Sequence, residues 1–284
     1  MNFITSTKHL AQEIQSILDI CPAYVSVDTE FLRQSSYYPK VGLVQIGHPS
    51  GVLVIDALSC DLEPLQALLY QPKILKVFHS GRQDIEIFFN HFNEVPQPVA
   101  DLQIYARHMG IGQQVSLNDL VATFLQETTT AFNSYSDWLK RPLRPDMLIY
   151  AYNDGRYIYD LYPILEQKIQ EDEQAAIKVQ SDINDLLQWP YTLRDPQAVL
   201  KKASHDFKDE QHIEQFQRLV LWREEKAKAY DKPRLHIIHD KTLCALIRQM
   251  PMTMKQFKTL LYQMDPQSYA LRKQELRVEL YQLF

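Results

Sequence analysis

Apolar and polar positions keep three different rhythms along this chain. Near its start Leu10, Ile14, Ile17 and Leu18 recur at helical spacing, and short apolar blocks follow. Beyond residue 62 such blocks are interleaved with helical spacing, and beyond about residue 210 only helical spacing is left. The first rhythm predicts a helix and then strands over residues 24–31, 42–46 and 52–56. The last two are joined by Gly47-His48-Pro49-Ser50-Gly51, a turn by its residues, so the three make an antiparallel meander. The second rhythm predicts a short helix over 62–69 and a strand over 74–79. Ser80-Gly81-Arg82-Gln83-Asp84 then opens a helix with Ile85, Phe88, Phe89 and Phe92 on its apolar face. A short fifth strand over 99–102 and helices around 102–108 and 116–124 follow, the last with Ser116 as N-cap. After a polar loop over 128–144, Pro145 suits the first turn of a long helix from Asp146 to about Gln170.

Strands first and helices interleaved later indicate an α/β domain with a mixed sheet over residues 1–170. Residues 171–210 read as a helical connector, bracketed by Glu171-Asp172-Glu173-Gln174 and a polar run over 201–210. Residues 211–284 read as an all-α bundle of four or five short helices. Phe216, Leu219, Val220 and Ala227 form its first stripe, Pro233 breaks the pattern, and Asp240-Lys241-Thr242-Leu243 restarts it. Thr253 starts another helix, and a last one runs over 271–284.

Composition narrows the function more than the fold. At 284 residues and 45% hydrophobic content there is ample material for a core. The opening residues lack the basic and apolar regions of a signal peptide, and nowhere do eighteen apolar residues run uninterrupted. The expectation is a cytoplasmic protein with no membrane partner. Cys21, Cys60 and Cys244 fit neither a disulfide framework nor a C-x-x-C knuckle and are expected as buried, reduced thiols. With seven glycines and no G-x-S-x-G, Walker or G-x-G-x-x-G motif, serine hydrolases, NTPases and dinucleotide enzymes lose ground. Zinc enzymes do too, because no histidine spacing is partnered by cysteines. The net charge of −5 is uneven, with 14 basic against 24 acidic side chains over 1–200 and 16 against 11 over 201–284. An acidic first module suits a cation-dependent site or a solvated surface; a basic second module is a mild argument for a polyanionic partner.

Three places carry candidate chemistry. Asp28 and Glu30 end the strand over 24–31, and positions i and i+2 of a strand share a face, so the two carboxylates project side by side. Ionised, they repel each other, and the arrangement is comfortable only if one takes a proton or a cation sits between them. A strand running out into a polar loop would look the same. Asp84 falls in the first turn of a helix, where a carboxylate complements the helix dipole without any further role. Tyr150 and Asp154 are i and i+4 on the long helix and address one point, a spacing that is also common surface decoration.

Together, Val27-Asp28-Thr29-Glu30-Phe31, His79-Ser80 through Asp84-Ile85-Glu86, and Tyr150-Ala151-Tyr152-Asn153-Asp154 resemble the exonuclease motifs of the DEDD superfamily. The tyrosine marks its DEDDy branch, and specifically the ribonuclease D family. Tyr37-Tyr38-Pro39 with Gly42-Leu43-Val44-Gln45, and Ser136-Asp137-Trp138 with Arg141-Pro142-Leu143, agree with this, and the likeness covers residues 24 to about 165. Leu221-Trp222-Arg223-Glu224-Glu225, Lys232-Pro233-Arg234 and Asp240-Lys241-Thr242-Leu243 are similar to an HRDC domain, the helical nucleic-acid-binding module that follows the exonuclease in that family.

The resemblance implies a ribonuclease H-like mixed sheet followed by an all-α HRDC-like domain. It implies a catalytic set of Asp28, Glu30, Asp84, Tyr150 and Asp154, the four carboxylates holding two divalent ions. An all-oxygen donor set favours Mg²⁺ or Mn²⁺ over zinc. Two such ions about 3.5–4 Å apart activate a water and stabilise both the attacking and the leaving oxygen. In that reading Asp28 bridges both ions, Glu30 and Asp154 complete the first, and Asp84 helps hold the second, directly or through water. The Tyr150 hydroxyl orients the attacking water. The implied activity is 3′–5′ trimming of single-stranded RNA ends, tRNA precursors and other small stable RNAs among them, by a monomer that releases nucleoside 5′-monophosphates.

The chain also departs from that family. Relatives often carry two HRDC modules where this sequence has about one, and the usual glycine-containing turn is missing around Met264-Asp265-Pro266, which predicts a differently shaped RNA-holding surface. Thr130-Ala131-Phe132 stand where relatives tend to carry a lysine, which puts that phosphate contact in doubt. Phe31, Tyr37, Tyr38 and Trp138 are candidates to stack on terminal bases or simply to pack, and Arg33, Lys40, Arg141 and Arg144 are candidates to touch phosphates. Two alternatives stand beside the RNA reading. One is an exonuclease acting on DNA ends, since backbone chemistry at a 3′ end barely distinguishes the sugars. The other is a catalytically idle nucleic-acid-binding protein, which predicts loss of at least one carboxylate, whereas all four are present.

Overall fold

In the computed structural model, which describes residues 2–33, 35–129, 136–189, 191, 209–250 and 253–284, Ser6 accepts the His9 amide and so starts helix α1, Thr7–Ile20. The helix buries Leu10, Ile14 and Ile17 and ends at Cys21, whose left-handed backbone lets its amide bond to the Ile17 carbonyl. That end position leaves Cys21 exposed, against the expectation of a buried thiol; Cys60 and Cys244 are buried.

The chain divides into two compact units, Met1–Leu32 with Lys40–Trp189, and Arg33–Pro39 with Pro190–Phe284. The first holds a six-stranded mixed sheet. Its strands are β1 (Asn2–Ile4), β2 (Tyr24–Leu32), β3 (Lys40–His48), β4 (Gly51–Asp56), β5 (Leu75–Phe78) and β6 (Val99–Asp101), in the order β1-β4-β3-β2-β5-β6. β2, β3 and β4 form the predicted meander, while β5 and β6 add in parallel. The edge strand β1, parallel to β4, was not in the predicted set, because three residues are too few to show a period. Gly51, at φ +135, makes the tight β3–β4 turn possible.

Between β4 and β5 lies α2 (Gln66–Leu69), and α3 (Arg82–Phe92) follows β5. After β6 come α4 (Leu102–His108), α5 (Leu117–Leu120) with a π-helical turn at Val121–Leu125, α6 (Pro145–Gln170) and α7 (Glu173–Leu187). Ser116 caps α5 by accepting the Asp119 amide. α6 lies across β2, β3 and β4, and α7 packs on α4 and α6 within the same unit.

The second unit is all-α. Six helices are described, Glu210–Ala229, Arg234–Ile237, Asp240–Gln249, Met254–Met264, Tyr269–Arg272 and Gln274–Gln282, against four or five expected, because the last predicted segment breaks at Lys273. Phe216, Leu219, Leu243, Leu246, Phe257 and Leu261 anchor its core. The HRDC-like motif residues hold this unit together. Arg223, 2% exposed, donates to the Ile238 carbonyl and pairs with Asp240, and Glu224 pairs with Arg234. Where a glycine turn was missing, the buried Asp265 closes Met254–Met264 and accepts the His239 amide at 3.0 Å. Thr130-Ala131-Phe132 lie outside the described residues. Among the described residues no helix is long and apolar enough to cross a membrane.

Candidate active site

β2 is the central feature of the site. Val25, Val27 and Thr29 point to one face of the sheet and are buried, while Ser26, Asp28 and Glu30 point to the other, toward α6. The register with β3 shifts between Glu30 and Phe31, so a bulge sits just past the second carboxylate before pairing resumes at Phe31–Val41. Bulges of this kind re-aim side chains at the ends of strands.

α6 brings the third carboxylate. The Ser26 hydroxyl donates to the Gly155 carbonyl at 2.6 Å and accepts the Gly47 amide at 3.1 Å, tying the helix to β2 and β3. A Cβ on Gly155 would stand 2.9 Å from Val52 Cγ1 and 3.2 Å from Gln45 Cβ, so only glycine lets the helix come this close. Asp154, next to it, then places one carboxylate oxygen in a group with oxygens of Asp28 and Glu30, all within 4.8 Å of one another. Tyr150, one turn earlier, hydrogen-bonds Asp154.

Asp84 comes to the same region from α3 but is not part of that group of three. The Thr29 hydroxyl, on the other face of β2, donates to Asp84 Oδ1 at 2.5 Å. The turn before α3 is fixed by Asp101, whose carboxylate accepts the Ser80 amide at 2.9 Å and the Gly81 amide at 2.8 Å. Asp101 also accepts the Gln103 amide and so caps α4. Ser80 itself sits at φ 56, a conformation that needs such support.

The electrostatics follow from this crowding. Burial, then the charges of Asp84 and Asp154, push the Asp28 carboxyl well above its ordinary range; burial, then Asp28, does the same to Glu30. Burial lifts Asp84 to about 7 against the lowering effect of its bond from Thr29. Burial likewise lifts Asp154 to about 7, with the Tyr150 bond working the other way. Burial and the nearby carboxylates raise Tyr150, which therefore stays a neutral phenol. A site that holds acids in this unfavourable state suits a divalent cation, and its oxygen-only donors suit a hard one.

Gln45 is the residue that pattern reading passed over. It faces Asp28 directly across the β2–β3 pair, is fully buried, and both its side-chain amide atoms lack a hydrogen-bond partner among the described residues. Its signal was a polar residue inside an otherwise apolar strand.

Two expected substrate contacts need correction. Trp138 is 1% exposed and packs with Leu43, Met147 and Tyr150, its carbonyl so close to Gly42 that a Cβ there would lie 2.4 Å away. It is a wall behind Tyr150 and has no free face for a base. Arg141 is spent on Asp56, at 2.9 Å from Nε and 2.6 Å from Nη2, and on the carbonyls of Trp138 and Gly42. Burial alone would raise Asp56, but this fork holds it below the usual carboxylate range. Tyr37 belongs to the second unit, where its hydroxyl donates to Glu224 and Arg234 and Lys228 lie over its ring. Arg144 pairs with Asp146 at the surface. Phe31 and Arg33 are half-buried, and Tyr38 and Lys40 are exposed.

The sequence model of the 3′-5′ exonuclease family matches residues 2–170, and that of the HRDC domain matches residues 213–268. The chain is 32% identical over 254 residues to ribonuclease D of Bartonella henselae and 33% identical over 231 residues to that of Granulibacter bethesdensis. These matches cover 88% and 80% of this chain but 62% and 58% of those proteins, so the chain spans about three fifths of their length. Among solved structures it is similar to Escherichia coli RNase D, an exoribonuclease involved in structured RNA processing. The TM-score is 0.85 at 26% identity, over 100% of this chain and 74% of that one.

Proposed function

The chain belongs to the 3′-5′ exonuclease family, and from that premise we propose that it is a metal-dependent 3′–5′ exoribonuclease of the ribonuclease D kind. The observation that carries the proposal is the group of Asp28, Glu30 and Asp154 oxygens within 4.8 Å, with Tyr150 bonded to Asp154 and Asp84 held alongside by Thr29. Asp28, Glu30, Asp84 and Asp154 would hold two Mg²⁺ or Mn²⁺ ions. Such ions, when bound, make a water acidic enough to attack at neutral pH and offset the charge that builds on the phosphate.

The rest of the chemistry falls to side chains. Tyr150, kept protonated by burial, offers its hydroxyl to orient the attacking water, a task its bond to Asp154 prepares. Thr29 and the Asp101-held turn keep Asp84 in register, and the Ser26–Gly155 bond keeps Asp154 there. The water's oxygen joins the terminal phosphorus, the bond to the 3′ oxygen of the preceding nucleotide breaks, and that oxygen takes a proton. A nucleoside 5′-monophosphate leaves, and the shortened chain keeps a 3′-hydroxyl.

Single-stranded 3′ ends of RNA, tRNA precursors and other small stable RNAs among them, are the proposed substrates. Residues 1–170 carry the chemistry, 171–210 connect through α7, which packs on the first unit, and the basic stretch 211–284 holds the RNA. Work as a monomer in the cytoplasm is part of the same proposal. The test is a 5′-labelled single-stranded RNA and its DNA equivalent, incubated with Mg²⁺, Mn²⁺ or EDTA alongside an Asp28→Ala variant. Stepwise shortening of the RNA that vanishes with EDTA and with the variant is expected. Preferential shortening of DNA would move the activity to DNA ends, and binding without shortening would make the chain an idle binder.

A further inference from the structure

The second unit carries a groove that none of the chemistry above uses. It lies between Met254–Met264 and the stretch Tyr269–Gln282, has a volume of about 470 Å³, and is lined by Lys258, Thr259, Tyr262, Gln263, Leu271 and Arg277. That is within the range of about 300–1,000 Å³ typical of sites for small ligands. Tyr262 stands at its wall 69% exposed, the most exposed large hydrophobic side chain among those described. An aromatic left this open gains little from packing. Lys258 precedes it by four residues and therefore shares its helix face.

The charge around the groove is predominantly positive. Residues 254–278 carry five basic side chains, Lys255, Lys258, Arg272, Lys273 and Arg277, against Asp265 and Glu275. Asp265 is 5% exposed and occupied with the His239 amide, so Glu275 is the one surface acid of the stretch. Among the described residues none of the five bases is paired with a carboxylate. Arg277 is steadied in the groove wall by donating from Nη1 to the Leu271 carbonyl.

We propose that this groove is a strand-holding site for single-stranded RNA, in which a base stacks on Tyr262 while Lys258 and Arg277 meet the flanking phosphates. The inference rests on the RNA reading above and gives it a location. An exposed aromatic among unpaired cations suits a polymer with π-faces and regular negative charge, and base stacking tolerates any sequence. An acidic peptide would use the cations and leave Tyr262 idle.

The experiment is fluorescence anisotropy of a labelled single-stranded RNA on the full chain in EDTA, so that binding is read without turnover. Tyr262→Ala should weaken binding about 5- to 150-fold, the equivalent of one lost stacking contact, and Tyr262→Phe should restore it. Lys258→Gln should lower the salt dependence by about one released counterion. Inorganic polyphosphate, which has no bases, should bind Tyr262→Ala as it binds the parent chain. Thermal melting of each variant separates lost contacts from lost folding. Unchanged RNA affinity in a folded Tyr262→Ala, or a Phe variant no better than Ala, would overturn the proposal. A parent chain that shortens RNA while these variants bind normally would do so too and leave the exonuclease standing. RNA binding that depends on Tyr262 in a chain that never shortens RNA would keep the groove and defeat the exonuclease.

Discussion

Replacing Gly155 with alanine adds one methyl group at the point where α6 lies closest to the sheet. In an isolated helix the change would be favourable by roughly 0.5–1 kcal/mol, because glycine is a poor helix former. Here the new Cβ would meet Val52 Cγ1 at 2.9 Å and Gln45 Cβ at 3.2 Å. Carbon atoms pack best at about 3.5–4.0 Å, so α6 would have to retreat by roughly 0.6–1 Å. Val52 is a stiff β-branched residue, 4% exposed in β4, and has little room to give way. Overpacking of this size costs about 1–3 kcal/mol, which leaves a net loss of roughly 0–2.5 kcal/mol after the helix gain of about 0.5–1 kcal/mol. Activity should suffer more than stability. Asp154 is the adjacent residue and would move with the helix, and a displacement of about 1 Å at a reacting centre costs on the order of 100-fold in rate. The assay is single-turnover shortening of a labelled RNA, with thermal melting in parallel. A second change, Val52→Ala, removes the offending methyl and should recover much of the rate in the Gly155→Ala background, although it lowers stability further. A Gly155→Ala chain that trims RNA at the parent rate would show that this close approach does not set the position of Asp154.

Three further outcomes are expected. Thr29→Val removes the hydroxyl that lowers the Asp84 carboxyl, so the acidic limb of the pH–rate profile should move to higher pH and the rate near pH 7 should fall about 10-fold or more; an unmoved limb would separate Thr29 from Asp84. Asp101→Asn replaces one of the two oxygens that accept the Ser80, Gly81 and Gln103 amides with an NH2 that cannot accept, and should cost about 1.5–3 kcal/mol, read as a lower denaturation midpoint. The third concerns pH without metal: Asp84 and Asp154 are raised to about 7 in the folded chain, and Asp28 and Glu30 are raised too. Acids raised on folding stabilise fully below their unfolded values near about 4 and lose that contribution as pH rises through their folded values. In EDTA the melting temperature should therefore fall between about pH 4 and pH 8, and Mg²⁺ or Mn²⁺ should restore it at pH 8 but not at pH 5. A flat profile would contradict the crowding of these carboxylates.

What could be read in the sequence was whatever repeats locally. The meander showed because its strands are short apolar blocks bounded by turn residues, and the Asp28–Glu30 pair because i and i+2 share a face. Tyr150 and Asp154 showed because i and i+4 meet on a helix. Contacts between distant positions stayed hidden. Thr29 reaches Asp84 across 55 residues, and Asp101 holds the Ser80–Gly81 turn from a neighbouring strand, neither of which any local period encodes. Trp138 and Arg141 looked like substrate contacts because large aromatic and basic side chains in a polar loop usually face solvent. Gly42 and Asp56, 85 to 99 residues away, draw them inward instead. Cys21 followed the rule that thiols are buried until a helix end turned it outward.

The most direct test of the account is the identity of the product. Uniformly labelled single-stranded RNA, digested with Mn²⁺ and resolved by chromatography, should yield nucleoside 5′-monophosphates released singly from the 3′ end, and none in EDTA or from Asp28→Ala. Release of nucleoside 3′-phosphates, of internal fragments, or of undiminished 5′-monophosphates in EDTA would contradict it.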